Sequence, residues 1–169
     1  LNQDDFIKEV TKVFSEINSL HPFREGNGRA QRIFIKQLAE KADHKLDFSS
    51  ITKERMLQAS IESHENNPSK MERIFDEIIS PEKVALANRF NDFLKQEKGL
   101  DSWNDLYISV AKEGQEYDGT FVGSDTHSFT MMLPNENSIV IGDKCCLKKD
   151  LKSGDHLKIK IPEKEQNLS

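Results

Sequence analysis

Residues 21–32 read HPFREGNGRAQR, a glycine-rich stretch between two segments that have helical patterns. Apolar residues recur at helical spacing over residues 3–19, which predicts a helix there. Pro22 disfavours the α conformation for His21, so this helix is predicted to end just before the stretch. A second helix is predicted over about residues 29–42. His21 is therefore expected on a loop between two helices, where its side chain can reach a substrate.

The Gly-Asn-Gly turn in this stretch has the features of a phosphate-binding site. The first backbone N–H groups of a helix lack carbonyl partners, and the helix dipole adds positive potential at that end. Gly26, Asn27 and Gly28 form the turn, and glycine lets an anion approach the backbone closely. Arg29 and Arg32 lie three residues apart, so both can reach one side of the helix and bind phosphate oxygens. The stretch therefore predicts a nucleotide-phosphate site.

Two further side chains add a metal ligand and a base to this site. Glu25, directly before the turn, offers carboxylate oxygens of the kind that bind the Mg²⁺ of a nucleotide. His21 is the residue type best suited to act as a general base near neutral pH. The alternative interpretation is a proline-terminated helix followed by an ordinary glycine turn. That alternative explains neither of these residues, nor the two arginines.

The stretch resembles the signature of Fic domains, His-Pro-Phe-x-Asp/Glu-Gly-Asn-Gly-Arg-x-x-Arg, at every specified position. The resemblance implies transfer of AMP from ATP to a Tyr, Thr or Ser hydroxyl of a target protein, with release of pyrophosphate. It implies that His21 deprotonates the attacking hydroxyl and that Glu25 holds Mg²⁺ between the α- and β-phosphates. Residues 26–28 would form the anion hole, and Arg29 and Arg32 would bind the β- and γ-phosphates.

The composition is that of a helix-rich globular chain. The 169 residues are 31% charged and 36% hydrophobic, with a net charge of −5, which gives no reason to expect nucleic acid as a partner. There is no apolar run long enough to span a bilayer and no signal-peptide pattern. The two cysteines, Cys145 and Cys146, are adjacent and are expected to be free thiols.

The pattern of the chain changes after Gly99, which predicts a multidomain chain with an all-α part and an all-β part. Helical patterns fill most of the first hundred residues, and Ser69 and Ser80 are predicted to cap two of the helices. Five short segments with period-two patterns then predict strands at 106–110, 119–123, 128–133, 138–141 and 156–161. We expect the C-terminal part of a Fic-type helical domain at 1–80, a linker helix and connection at 81–104, a small OB-like β-barrel at 105–162 and a tail at 163–169.

This order of domains resembles the Bartonella effector family, whose members are injected into host cells by a type IV secretion system. The resemblance implies host proteins as targets and the host cytoplasm as the location. Fic proteins also carry a flap hairpin ahead of the motif, and no segment before His21 fits it, so we expect this chain alone to be an inactive fragment. The barrel region is slightly acidic and has few aromatic residues, so we expect it to pack or to contact protein rather than nucleic acid.

There are two alternatives to AMP transfer as the function of this chain. The Fic-type site could transfer another nucleotide or phosphate-linked group, or the chain could be a protein-binding scaffold. A related subgroup that phosphorylates its targets carries lysine at the position of Gly28, which favours AMP transfer here.

Residues 109–114 fit the inhibitory string Ser/Thr-x-x-x-Glu-Gly/Asn of Fic proteins, but they lie where a strand and a turn are predicted. We therefore expect any inhibition to come from a separate small antitoxin-like protein.

Overall fold

The structure is a computed structural model that describes residues 2–20, 26–98, 105–134, 138–147 and 150–163. Packing divides the chain into two units, Leu1–Asn91 and Asp92–Ser169. The first unit is helical, and the second contains a five-stranded sheet. The predicted combination of a helical part with a β region is therefore confirmed.

Five α-helices lie in the described part of the chain, and they follow the helical patterns of the sequence. They are α1 (Gln3–Leu20), α2 (Asn27–Lys41), α3 (Lys53–His64), α4 (Ser69–Ile78) and α5 (Pro81–Lys98). The end of α1 directly before His21 is the one that the following proline predicts. The loop predicted around His21 lies outside the described residues. None of the helices in the described ranges combines the length and the apolar character that crossing a membrane requires.

One of the two predicted helix caps is confirmed and the other is wrong. The Ser80 side chain accepts a hydrogen bond from the Lys83 N–H at 3.4 Å, so it caps α5. Ser69 instead lies inside the first turn of α4, after Pro68 at the cap position. The Asn67 side chain accepts a hydrogen bond from the Ser69 N–H at 3.3 Å. The helix starts one residue earlier than a serine cap requires because the fixed φ of proline suits the start of a helix.

The core of the helical unit is apolar but contains a fully buried ion pair. Phe75 lies at its centre, with the rings of Phe14 and Phe48 packed edge-on at 5.7 Å and 6.1 Å between centroids. Arg55 on α3 and Glu77 on α4 are each 1% exposed and form a two-pronged pair, with Arg55 Nη2 2.8 Å from Glu77 Oε1 and Nη1 in contact with Oε2. This pair fixes α3 against α4.

The second unit contains one mixed sheet in the described residues. Its strands are β1 (Tyr107–Val110), β2 (Glu116–Ser124), β3 (Ser128–Leu133), β4 (Ser138–Asp143) and β5 (His156–Lys160). They lie in the order β1-β4-β3-β2-β5, in which β1 and β4 run parallel and the other neighbours run antiparallel. All five predicted strands are confirmed. β2 begins at Glu116 rather than at Gly119, because the buried Tyr117 extends its alternating pattern.

The predicted OB-like barrel is not confirmed, because the sheet is open. β1 and β5 are its two edges, and no pairing between them exists among the described residues. A barrel requires the first and last strands to pair, so that no edge remains. Strand count and strand length predict the elements, but closure depends on pairing between distant segments, which period-two patterns do not encode.

Candidate active site

The start of α2 is shaped by Gly26. This residue has φ 79° and ψ 5°, in the left-handed region that favours glycine. Its carbonyl accepts hydrogen bonds from the N–H groups of Arg29 and Ala30, each at 3.1 Å. Helices usually begin with a side chain that occupies the N–H groups of the first turn. Glycine has no such side chain, so this helix end presents its amide dipoles to a ligand.

The charged side chains that the structure describes at this helix end are positive. The first turn of α2 contains no acidic residue. Arg29 is exposed and folds back over the turn, with its Nη2 4.0 Å from the point where a Cβ on Gly26 would stand. Arg32 is also exposed, and it lines the neighbouring cavity. Neither arginine forms an ion pair with another residue that the structure describes. Both guanidinium groups can therefore reach an anion at the helix end.

A cavity of about 650 Å³ adjoins the same helix end. Asn27, Gly28, Gln31 and Arg32 of α2 form one wall. The other walls come from α1, α3 and the short turn between α2 and α3. Their lining residues are Phe14, Asn18, Ser19, Phe48, Ile51, Thr52, Lys53, Met56, Leu57, Ser60, Ile61, His64 and Glu65. The cavity thus joins an anion-binding helix end to a largely apolar pocket, and its volume is typical of sites for small molecules.

The motif does not predict the wall that α3 contributes. Leu57 is 56% exposed and Ile61 is 50% exposed, although both belong to an apolar helical pattern. They lie four residues apart, on one face of α3, and both line the cavity. The sequence signal was an apolar pair beyond the buried stripe of α3, whose buried residues are Arg55 and Ala59. This pair can be recognised as part of a cavity wall only when the packing of the other faces of α3 is known.

The structure brings together five of the seven predicted site residues. Residues 26–28 form the start of α2, and Arg29 and Arg32 lie in its first two turns. His21 and Glu25 lie outside the described residues, and their predicted roles stay predictions. Within the described ranges, no three His, Cys, Asp or Glu side chains cluster as a metal site.

Comparison with known proteins finds a family match that covers α1 and most of α2. Residues 1–39, which contain α1, the motif and most of α2, match the sequence model of the Fic/DOC family. The matched Fic segment therefore contains all seven predicted site residues, and it ends within α2, before the α3 wall of the cavity.

The similarity to individual proteins extends further along the chain. A "Protein adenylyltransferase" of Bartonella henselae is 39% identical over 171 residues, which cover 98% of this chain and 31% of the relative. "Protein adenylyltransferase VbhT" of Bartonella schoenbuchensis is 40% identical over 116 residues, covering 66% of this chain and 24% of the relative. The chain thus spans about a third or less of the length of these curated relatives.

A solved structure resembles both units of the chain. The "Type IV secretion system effector protein BepA" has a TM-score of 0.82 and 38% sequence identity, and it covers 96% of this chain and 55% of its own. Because the match covers nearly the whole chain, it includes the β unit as well as the Fic helices. The sheet therefore belongs to the region that this chain shares with this effector protein.

Proposed function

We propose that this chain is part of a protein adenylyltransferase that transfers AMP from ATP to a hydroxyl side chain of a target protein. The observation that carries the proposal is the start of α2, where Gly26 precedes the helix and two exposed arginines lie beside a largely apolar cavity. Relatives that share 39% and 40% identity are named protein adenylyltransferases, which supports the same activity here.

In this reaction the target's hydroxyl oxygen attacks the α-phosphorus of ATP. A new P–O bond forms, the bond between the α-phosphorus and the bridging oxygen breaks, and pyrophosphate leaves. His21 takes the proton of the attacking hydroxyl. The first-turn amides of α2 hold the phosphate chain, and Arg29 and Arg32 neutralise the charge that builds up on the leaving pyrophosphate. Such transfers depend chiefly on positioning and charge neutralisation, which these groups supply.

Glu25 is the residue that we propose for Mg²⁺. Carboxylate oxygens are the ligands that Mg²⁺ prefers, and nucleotide-bound Mg²⁺ usually takes one or two of them. The first turn of α2 has no acid of its own, so a carboxylate directly before Gly26 fits this donor set. When bound, the ion would neutralise phosphate charge. His21 and the arginines keep the roles given above.

The adenosine part of ATP fits the apolar end of the cavity. With the phosphates at the start of α2, the nucleoside would lie beside Asn27 and Gly28, which line the cavity. Leu57 and Ile61 then offer apolar contacts to the base from α3, which accounts for their exposure. A ligand without a base that packs there should bind less tightly than ATP. This difference in affinity would distinguish an ATP site from a site for any polyphosphate.

The partners that we propose are a host protein as target and a small inhibitory protein as regulator. The resemblance to a type IV secretion effector supports delivery into a host cell. Ser109 and Val110 lie in β1, and Glu113 and Gly114 form a turn. The inhibitory string therefore does not form a helix here, which favours an inhibitor in trans.

We propose a relation of the β unit to OB folds and a role in contacts with protein. Five short strands and a mixed sheet support the relation, although the sheet is open. The exposed face of β2 and β5 carries residues of both charges rather than a basic stripe, with Glu116 and Asp118 facing Lys158 and His156. Such a face suits a protein surface better than a nucleic-acid strand.

A chimaera tests the proposed activity. This chain replaces the matching segment of the Bartonella henselae protein adenylyltransferase, and the chimaera is incubated with host-cell lysate and ATP labelled on the α- or the γ-phosphate. We expect label on protein from α-labelled ATP alone, and loss of that label in the His21→Ala chimaera. If the parent protein labels its target and the folded chimaera does not, the proposal is wrong. Label from γ-labelled ATP would indicate phosphate transfer instead.

A further inference from the structure

Gln31 is a buried polar residue whose hydrogen bonding is incomplete. It is 5% exposed, and its side-chain nitrogen Nε2 has no hydrogen-bond partner among the described residues. A buried N–H group without an acceptor lowers the stability of a fold, and most buried polar groups are paired. An apolar side chain of similar length would avoid this loss. A bound ligand that offers a hydrogen-bond acceptor to Nε2 would explain why this position is a glutamine.

The position of Gln31 points to the phosphate end of the cavity. Gln31 begins the buried stripe of α2 that continues with Ile35 and Ala39, and of these three only Gln31 lines the cavity. Side chains in a helix lean toward its N-terminus, so Gln31 lies over the turn formed by Asn27 and Gly28.

The backbone at this turn leaves room for a ligand. A Cβ placed on Gly28 would meet nothing within 4 Å, so there is open space beside the backbone of this turn. The final torsion of a glutamine side chain is soft, so the amide can turn its N–H toward a ligand oxygen.

We propose that Gln31 is a phosphate-positioning residue, whose Nε2 donates a hydrogen bond to a phosphate oxygen of the nucleotide. This inference rests on the proposed function, because it places the phosphate chain at the start of α2. The role differs from that of Arg29 and Arg32. Gln31 is neutral and buried, so it fixes the position of an oxygen atom without adding charge at the reacting centre.

Binding to ATP and to inorganic tripolyphosphate tests this role in the full 169-residue chain. Gln31→Met keeps the length of the side chain and removes its donor. We expect it to raise the Kd of both ligands roughly threefold to tenfold, which is the effect of losing one neutral hydrogen bond. Its melting temperature without ligand should equal or exceed that of the wild type, because the unpaired donor is gone. Gln37→Met, on the exposed face of the same helix, is the matched control and should change neither affinity.

The outcomes separate this inference from the proposed function. If Arg29→Ala weakens both ligands and a folded Gln31→Met does not, the inference is wrong and the phosphate site stands. If the wild-type chain binds neither ATP nor tripolyphosphate, both are wrong. A second measurement avoids any folding defect of the variant. The side-chain NH₂ resonances of Gln31 in the wild-type chain should shift when tripolyphosphate is added, and unchanged resonances at saturation would overturn the inference.

Discussion

Two regions of this molecule, the β2–β5 strand pair and the start of α2, differ in how their charged groups are arranged. In the β unit, ionisable side chains contact each other across neighbouring strands. His156 Nε2 lies 2.5 Å from Asp118 Oδ1, and Lys158 Nζ lies 3.2 Å from Glu116 Oε1. In the helical unit, the start of α2 has two exposed arginines, no acid in its first turn and no side-chain cap. Side chains that pair with each other leave little charge for an outside ligand, whereas the two exposed arginines at the start of α2 can bind an anion. We therefore expect nucleotide chemistry in the helical unit.

The largest effect should come from the charge pair that the helical unit does bury. Glu77→Ala leaves Arg55 buried without its carboxylate, and we expect the free energy of unfolding to fall by roughly 3–5 kcal/mol. Urea unfolding followed by the helical circular dichroism signal measures the change. Glu40→Ala, exposed on α2, is the control and should stay within about 0.5 kcal/mol of the wild type. Equal stability of the two variants would mean that the pair does not hold α3 against α4.

The β unit should respond instead to a change of volume. A Cβ on Gly142 in β4 would overlap the ring of Phe129, which is fully buried. We expect Gly142→Ala to cost about 1–3 kcal/mol, because the ring must move within a packed core. Gly123→Ala is the matched control on β2, where a Cβ meets nothing within 4 Å, and it should be close to neutral. Thermal unfolding compares the two, and a neutral Gly142→Ala would contradict the packing described for β3 and β4.

The smallest effect is expected on the reactivity of a cysteine whose thiol is hydrogen-bonded to a neighbouring carboxylate. Asp143 Oδ1 accepts hydrogen bonds from the Cys145 backbone N–H at 2.9 Å and from its thiol at 2.6 Å. The thiol's hydrogen bond and the carboxylate's charge raise the pKa of Cys145 above its usual value. Less thiolate is then present at a given pH. In a Cys146→Ser background, Asp143→Asn should speed alkylation of Cys145 by iodoacetamide severalfold near pH 8. An unchanged or slower rate would contradict the role of Asp143.

Local patterns predicted most of the elements in both units. Helical spacing and Pro22 predicted α1. The second helix was predicted from about residue 29, and α2 begins two residues earlier, at Asn27. The strands followed from period-two patterns. These features depend on residues that are close in sequence, so a single sequence is sufficient to find them.

Features that depend on distant residues were not predicted. Arg55 and Glu77 lie twenty-two positions apart, and neither residue type is expected inside a core. The open edge between β1 and β5 and the cavity wall from Leu57 and Ile61 also require knowledge of which faces pack together. The motif predicted the phosphate end of the site, but the apolar end became visible only in the folded chain.

The most direct test of the phosphate site is the affinity of the chain for ATP with Mg²⁺, measured by calorimetric titration. Arg29→Ala removes a guanidinium group from the start of α2, whereas Lys41→Ala removes a positive charge from its other end. We predict that Arg29→Ala raises the Kd about tenfold or more, the effect of a charged hydrogen bond, and that Lys41→Ala leaves it unchanged. Equal affinities of wild type, Arg29→Ala and Lys41→Ala would contradict an ATP-phosphate site at the start of α2.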